Sequence, residues 1–291
     1  YVVRQKMPQA GRISWPDAIL GEIAFDANQL DDHILLKSDG YPTYHLAHVT
    51  DDHDMAITHV IRGAEWVSST PRHIALYQTL QWTPPLFAHV PVILGGDKGK
   101  LGKRHGAKPV IEYKNDGYLP AALINYLALL GWSSGTNEEI FSLDELIERF
   151  DLSRVQPSPA TYDAQKLDWF NGAYIRQLGA MELRDRLLEF WRERNPDWPA
   201  RFASDPAMFD AIVALLQDRL TNLKEWSELA AFFYHEPTDY DPQLLLAKGG
   251  NRDEITAGLK LSVNTLRSAS DWSSPSLELL VRSAIDDNNL K

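Results

Sequence analysis

Ile57-Thr-His-Val-Ile61, Thr70-Pro-Arg-His-Ile74 and Phe87-Ala-His-Val-Pro-Val-Ile-Leu94 are the stretches on which the fold turns. The first and last are short runs rich in β-branched and aromatic residues, which read as strands. The middle one opens a helix, with Thr70 as the N-cap and Pro71 at the first helical position. Ile74, Tyr77 and Leu80 then recur at helical spacing. Strand, helix, strand over this length predicts a βαβ unit, because parallel neighbours need a crossover of a dozen or more residues.

Upstream, further strands are expected at 1–4, 21–25 and 33–37. Downstream the pattern turns helical. Pro120 opens an amphipathic run with Leu123, Leu127 and Leu130, stopped at Gly131. Ser142 and Glu145 form a capping box ahead of Leu146, Ile147 and Phe150. More helices are expected at 181–193, 205–220, 222–233, 254–269 and 275–286, and no comparable strand pattern follows residue 115. The fold class expected is therefore α/β, with a partial Rossmann-like parallel sheet, followed by an all-α helical domain.

The 291 residues are 44% hydrophobic and 24% charged, which excludes disorder over most of the chain because there is apolar surface to offset chain entropy. No apolar run approaches the ~20 residues of a membrane span. The absence of cysteine excludes disulfides, thiolate nucleophiles and Cys-ligated zinc, and it fits a reducing, cytoplasmic setting. With 29 Lys+Arg against 40 Asp+Glu the net charge is −11, which at first argues against a nucleic-acid partner. Its distribution is uneven: residues 98–114 hold six Lys/Arg and one Glu, or +5, so the other 274 carry −16. An acidic body with one basic loop suits phosphate handling at one place while limiting indiscriminate adhesion.

That loop, Gly95-Gly-Asp-Lys-Gly-Lys-Leu-Gly-Lys-Arg-His-Gly-Ala-Lys108, joins five glycines to the basic residues Lys98, Lys100, Lys103, Arg104 and Lys108. It follows an apolar strand, where open α/β sheets place their ligands, and its backbone can approach an anion closely. The same composition also suits a solvated basic turn. It is not a Walker A loop, since Arg104 follows Gly102-Lys103 and the spacing from Gly96 is one residue too long. A second candidate is the helix beginning near Tyr44, where His45, His48, Asp51, Asp52, His53 and Asp54 gather as metal ligands or as surface and packing residues. A third is Arg62 in Ile61-Arg-Gly-Ala-Glu-Trp66, placed to pair a carboxylate or to make a structural ion pair.

Taken together, these segments resemble the class I glutamyl-tRNA synthetases. Asp39-Gly-Tyr-Pro-Thr-Tyr44, Asp51-Asp-His53, Ile57-Thr-His-Val-Ile-Arg-Gly63 and Ser69-Thr-Pro71 stand in that family's order and spacing. Lys100-Leu-Gly-Lys-Arg-His-Gly106 resembles its KMSKS loop, and Gly117-Tyr-Leu-Pro-Ala-Ala-Leu-Ile-Asn-Tyr-Leu-Ala-Leu-Leu-Gly-Trp132 and Leu167-Asp-Trp-Phe-Asn-Gly172 also match. The resemblance covers essentially the whole chain. It implies ATP-dependent ligation of L-glutamate to tRNA(Glu) through glutamyl-adenylate. It also implies roles for single residues. Arg62 would hold the substrate carboxylate and Tyr44 would line the amino-acid pocket. Glu65, Trp66, Ile93 and Arg104 would contact ATP, with Lys100 and Lys103 as the catalytic cations. Arg219 would contact tRNA. Mg²⁺ would accompany ATP, with no protein ligand identifiable and no membrane partner.

Two substitutions depart from the pattern: Gly102 stands where the loop usually has Ser, and His48 where some members have Asn. No HIGH-type motif occurs in the 291 residues, and both ends read as cut, so an internal piece of the enzyme, inactive alone, is expected. On the family's plan, 1–40 finish the acceptor-binding insertion and 41–95 form the second half of the nucleotide-binding domain. Residues 96–178 form the stem-contact region, and 179–291 begin the helical anticodon-binding domain. The alternatives are a paralogue that glutamylates a modified base in tRNA(Asp), a non-catalytic tRNA-binding module, and a histidine-rich metal-binding module.

Overall fold

The structure is a computed structural model that describes residues 1–102, 108–236, 241, 243 and 251–287. It divides into two units, Tyr1–Ala230 and Ala231–Lys291. In the first, β1 (Val3–Gln5) pairs antiparallel with β4 (His33–Leu36). A separate four-stranded sheet has the order β3-β2-β6-β5, from β2 (Arg12–Asp17), β3 (Gly21–Asp26), β5 (His59–Gly63) and β6 (Leu86–Val90). The β2–β3 hairpin is antiparallel, whereas β5 and β6 run parallel in the register His59↔Leu86 to Gly63↔Val90. The predicted βαβ unit is thus present, with α2 (Thr70–Leu80) as its crossover.

Three local expectations shift. The first strand of the unit starts at His59 rather than Ile57. The C-terminus of α1 (Tyr44–Asp54) instead takes up the preceding residues: Ile57 N–H bonds Asp52 O at 2.9 Å, and Ala56 sits at φ 55°. The last strand ends at Val90, since Pro91 has no N–H to extend the ladder. Thr70 is the first residue of α2, not a side-chain cap. Its hydroxyl donates to Trp66 O at 3.0 Å, in the short 3-10 stretch Ala64–Ser69.

The strand β2 has no counterpart among the expected elements. Its alternation of exposed and buried residues is regular, with Ile13, Trp15 and Asp17 inward, and Pro16 interrupts the sequence signal. It joins the parallel pair through Asp17↔Phe87 and the Ala18 N–H to Phe87 O bond of 2.8 Å. The core between sheet and helices is formed by Ile13, Trp15, Val49, Ile74, Leu76, Tyr77 and Phe87, all buried. Each such large apolar side chain contributes about 1.5–3 kcal/mol relative to exposure.

From residue 110 the described chain is helical: α3 (Val110–Asp116), α4 (Pro120–Leu129), α5 (Leu143–Arg149), α6 (Ala164–Gln177), α7 (Ala180–Trp191), α8 (Asp197–Ser204), α9 (Pro206–Leu216) and α10 (Trp226–Leu229). The capping box is formed, with Glu145 N–H on Ser142 Oγ and Ser142 N–H on Glu145 Oε2. Two fully buried asparagines tie the helices. Asn125 Oδ1 accepts from Phe141 N and Tyr174 OH; Asn171 accepts from Leu119 N at 2.7 Å and donates to Thr221 O at 2.6 Å. The helix expected over 205–220 is replaced by α9 and a 3-10 turn, with α8 ahead of it. The one over 222–233 is broken into α10 and 3-10 turns. In the second unit α11 (Arg252–Arg267) packs on α12 (Ser274–Asp287), close to the expected spans. Among the described residues no strand follows β6, and no helix is long and apolar enough to cross a membrane.

Candidate active site at the carboxyl ends of the parallel strands

Three parallel neighbours end side by side, β2 on Asp17, β5 on Arg62-Gly63 and β6 on His89-Val90. Open α/β sheets bind ligands at this edge. Asp17 has no exposed side-chain surface. Its Oδ1 accepts the N–H groups of Ile19, Leu20 and His89 at 3.1, 3.0 and 3.2 Å, and its Oδ2 lies 2.5 Å from His89 Nδ1. Burial by itself raises this carboxyl, but the His89 side chain and the backbone donors outweigh it and hold it below the usual carboxylate range.

Arg62 reaches across the strand ends. Its Nε donates to His89 Nε2 at 3.2 Å, and its Nη2 donates to Thr70 Oγ1 at 2.8 Å with His73 Nδ1 at 3.4 Å. The guanidinium carbon sits 5.6 Å from the Trp66 ring and 5.4 Å from Phe87, within cation–π range. Burial pulls its pKa below the ordinary value, with Tyr44 opposing. Its Nη1 is buried and has no hydrogen-bond partner among the described residues. A guanidinium with one buried N–H left over has a donor to offer a carboxylate or another anion, because leaving a charged donor unpaired is costly.

Tyr44 and Trp66 stand beside it. Their rings are 4.9 Å apart, and Tyr44 stacks on His48 with centroids 5.3 Å apart and planes within 1°. His48 Nδ1 lies 3.0 Å from Asp52 Oδ2, and His45 Nδ1 lies 2.9 Å from His73 Nε2. Burial lowers all four clustered histidines, His33 to about 4 and His73 to about 2, with His45 and His48 also down. His53 points elsewhere and stacks on Trp82 at 3.9 Å. Among the described residues no group of three or more His, Cys, Asp or Glu could hold a metal ion.

The start of the basic loop is a tight reversal. Gly95 N–H bonds Gly99 O, Gly99 N–H bonds Asp97 Oδ1, and Lys98 takes φ 62° at the bend. Leu94 bridges Lys100 on one side and Thr161 on the other, and Ile93 O accepts from Leu101 N. The returning arm carries Lys100 to 3.5 Å from Glu65 Oε1. Glu65 is held below its usual value by its own backbone N–H first and by Lys100 after it. Gly63 makes room for that fold-back, since a Cβ there would lie 2.1 Å from Glu65 Oε2.

Tyr44, Arg62 and Trp66 therefore form one cluster, with Glu65 and Lys100 paired at the same strand end. Arg219 is exposed in the turn Gln217–Arg219 of the helical part. Lys103 and Arg104 lie outside the described residues. Asp17, Thr70, His73 and His89 belong to the cluster yet were not among the expected site residues. The signal for two of them was a polar residue on the buried phase of a strand: Asp17 with Ile13 and Trp15, and His89 with Phe87.

Comparison with known proteins gives the same frame. The family model of the catalytic domain of class I tRNA synthetases (E and Q) matches residues 1–169, and that of an anticodon binding domain matches 182–291. The chain is 42% identical over 294 residues to a glutamate–tRNA ligase of Dehalococcoides mccartyi, covering all of this chain and 60% of that protein. It is 43% identical over 298 residues to one of Roseiflexus castenholzii, covering 58% of it. The crystal structure of a glutamate tRNA ligase from Elizabethkingia meningosepticum, in complex with its amino acid, superposes with a TM-score of 0.78 at 32% identity. That superposition covers all of this chain and 60% of that one. The chain thus spans about 60% of the length of the relatives it matches. A match over 169 of 291 residues, with parallel strands ending on Arg62 and His89, places the chain in the class I tRNA synthetase (E and Q) family.

Proposed function

We propose that the chain supplies the glutamate- and phosphate-gripping part of a cytoplasmic glutamyl-tRNA synthetase. In the reaction, a glutamate carboxylate attacks the α-phosphate of ATP, giving glutamyl-adenylate and pyrophosphate. The terminal ribose hydroxyl of tRNA(Glu) then takes the glutamyl group. The observation that carries this reading is the buried, unpartnered Nη1 of Arg62 beside Tyr44 and Trp66, a donor arranged for a carboxylate. Glu65 and Trp66 flank the adenylate and Ile93 meets adenine. Lys100 and Lys103, with Arg104, neutralise charge developing on the phosphates, so that catalysis is by positioned cations rather than by a covalent nucleophile. The Glu65–Lys100 pair supports this role by holding an ammonium at the strand end where Arg62 and Trp66 stand.

Mg²⁺ belongs to the reaction as the partner of ATP, and among the described residues no group of three or more His, Cys, Asp or Glu could hold it. The domain plan that goes with this reading has 1–40 finishing the acceptor-binding insertion, 41–95 as the second half of the nucleotide-binding domain, 96–178 as the stem-contact region with the basic loop, and 179–291 beginning the helical anticodon-binding domain, with Arg219 on the tRNA. The test is calorimetric titration of the chain with L-glutamate, L-glutamine and L-aspartate, repeated on Arg62→Ala. Saturable glutamate binding that Arg62→Ala loses supports the reading. Equal binding by both chains rejects the site.

A further inference from the structure

We propose that Asp17, acting through His89, is a positioning residue for Arg62. In this relay of acid, imidazole and guanidinium, the direction of each hydrogen bond fixes how the guanidinium faces and leaves its Nη1–H open. The relay deepens the glutamate reading of Arg62 and rests on it.

Donor and acceptor inventories set its direction. A guanidinium nitrogen can only donate, so His89 Nε2, 3.2 Å from Arg62 Nε, must accept. The imidazole proton is then on Nδ1 and donates to Asp17 Oδ2 at 2.5 Å. Asp17 cannot turn away, because its other oxygen is held by three backbone N–H groups. Arg62 Nη2 donates to Thr70 Oγ1 at 2.8 Å; that hydroxyl also lies 3.1 Å from His89 Nε2 and donates onward to Trp66 O at 3.0 Å. Asp17 and His89 have no exposed side-chain surface, so water does not compete for the bond between them.

The arrangement does more than pin two strands. Replacing a buried ionic pair by apolar residues of similar volume is often neutral or stabilising, so strand pairing by itself gives no reason to bury a carboxylate and an imidazole here. What the pair supplies is a fixed tautomer: with Nδ1–H committed to Asp17, Nε2 is left as an acceptor facing Arg62. A carboxylate that holds an imidazole in its working tautomer acts by orientation, without itself taking the proton.

The test uses the 291-residue chain labelled with ¹⁵N. A His89 Nδ1–H signal and a coupling across the hydrogen bond from Arg62 Nε to His89 Nε2 are expected. Finding the proton on Nε2 in the unmodified chain overturns the proposal, and this measurement needs no variant to fold. Asp17→Asn keeps an oxygen for the backbone donors but turns an amide N–H toward His89 Nδ1. The proton should move to Nε2, the coupling should vanish, and the Arg62 Nε–H should exchange with water roughly tenfold faster or more. A folded Asp17→Asn chain with an unchanged Arg62 signal and coupling also overturns the proposal, since a purely structural Asp17 would lower stability and leave that bond intact. Adding L-glutamate separates the two readings. An intact relay whose Arg62 does not respond rejects the carboxylate role and keeps the relay; a response with the proton on Nε2 does the reverse.

Discussion

Gly117→Ala is the sharpest test of how the segment beyond the basic loop is fastened. Gly117 closes α3 in the left-handed region, at φ 85°, and a Cβ there would stand 2.7 Å from Leu223 N and 2.9 Å from Lys224 N. Left-handed backbone costs a residue with a Cβ about 1–2 kcal/mol. The clash adds about 1–3 kcal/mol, because the neighbours are backbone atoms and not the ends of flexible side chains. Moving the 223–224 turn also stretches the Leu223 N–H to Gly117 O bond of 3.1 Å, worth about 0.5–1.5 kcal/mol. The exposed Lys224–Asp116 pair at 3.1 Å adds little. The expected loss is therefore about 2.5–6.5 kcal/mol. Gly40→Ala is the control: φ is again 85° but nothing lies within 4 Å of its Cβ, so only the backbone cost of about 1–2 kcal/mol applies. Urea denaturation followed by tryptophan fluorescence reads both variants, since eight of the nine tryptophans lie in Tyr1–Ala230. Equal destabilisation of the two variants would refute the packing argument.

Acid should weaken the fold before the carboxylates titrate. Burial holds His33 at about 4 and His73 at about 2, below the usual value of about 6.5, so the unfolded chain binds more protons as pH falls from there. Stability is full above about pH 6.5 and declines below it by up to about 1.4 kcal/mol per pH unit for each ring; equal urea midpoints at pH 7 and 5 would contradict this. Asn171→Ala leaves Leu119 N–H and Thr221 O unpaired in the interior and should cost about 2–5 kcal/mol, measured by the same denaturation. A loss under about 1 kcal/mol would mean that other groups or water take over both bonds. Gly63→Ala should displace only the flexible end of Glu65, leaving stability within about 0.5 kcal/mol. The Glu65 carboxyl, freed from Lys100, should titrate closer to its usual value. An unmoved Glu65 titration would show that Gly63 does not set its position.

The βαβ unit and the capping box at Ser142 were legible because both are local. Hydrophobic period and terminal hydrogen-bonding residues act over a few positions, and no distant partner overrides them here. The strand at 12–17 was hidden by Pro16, which reads as a break until its place in the hairpin register, opposite Glu22, is known. Thr70 illustrates a subtler limit. Thr followed by Pro is a sound helix-start signal, and the helix does begin there, but the hydroxyl serves Arg62 and Trp66 instead of a cap.

For the candidate site, the sequence by itself determined the residue types at the ends of the parallel strands and the family pattern in which Tyr44, Arg62, Trp66 and the basic loop recur. Only the tertiary structure decided what surrounds Arg62. Asp17 and His89 are 72 residues apart, and they meet because β2 and β6 run parallel and end together. No local periodicity encodes that meeting. It follows from strand register and burial, which bring a buried carboxylate and imidazole together and set a guanidinium against them.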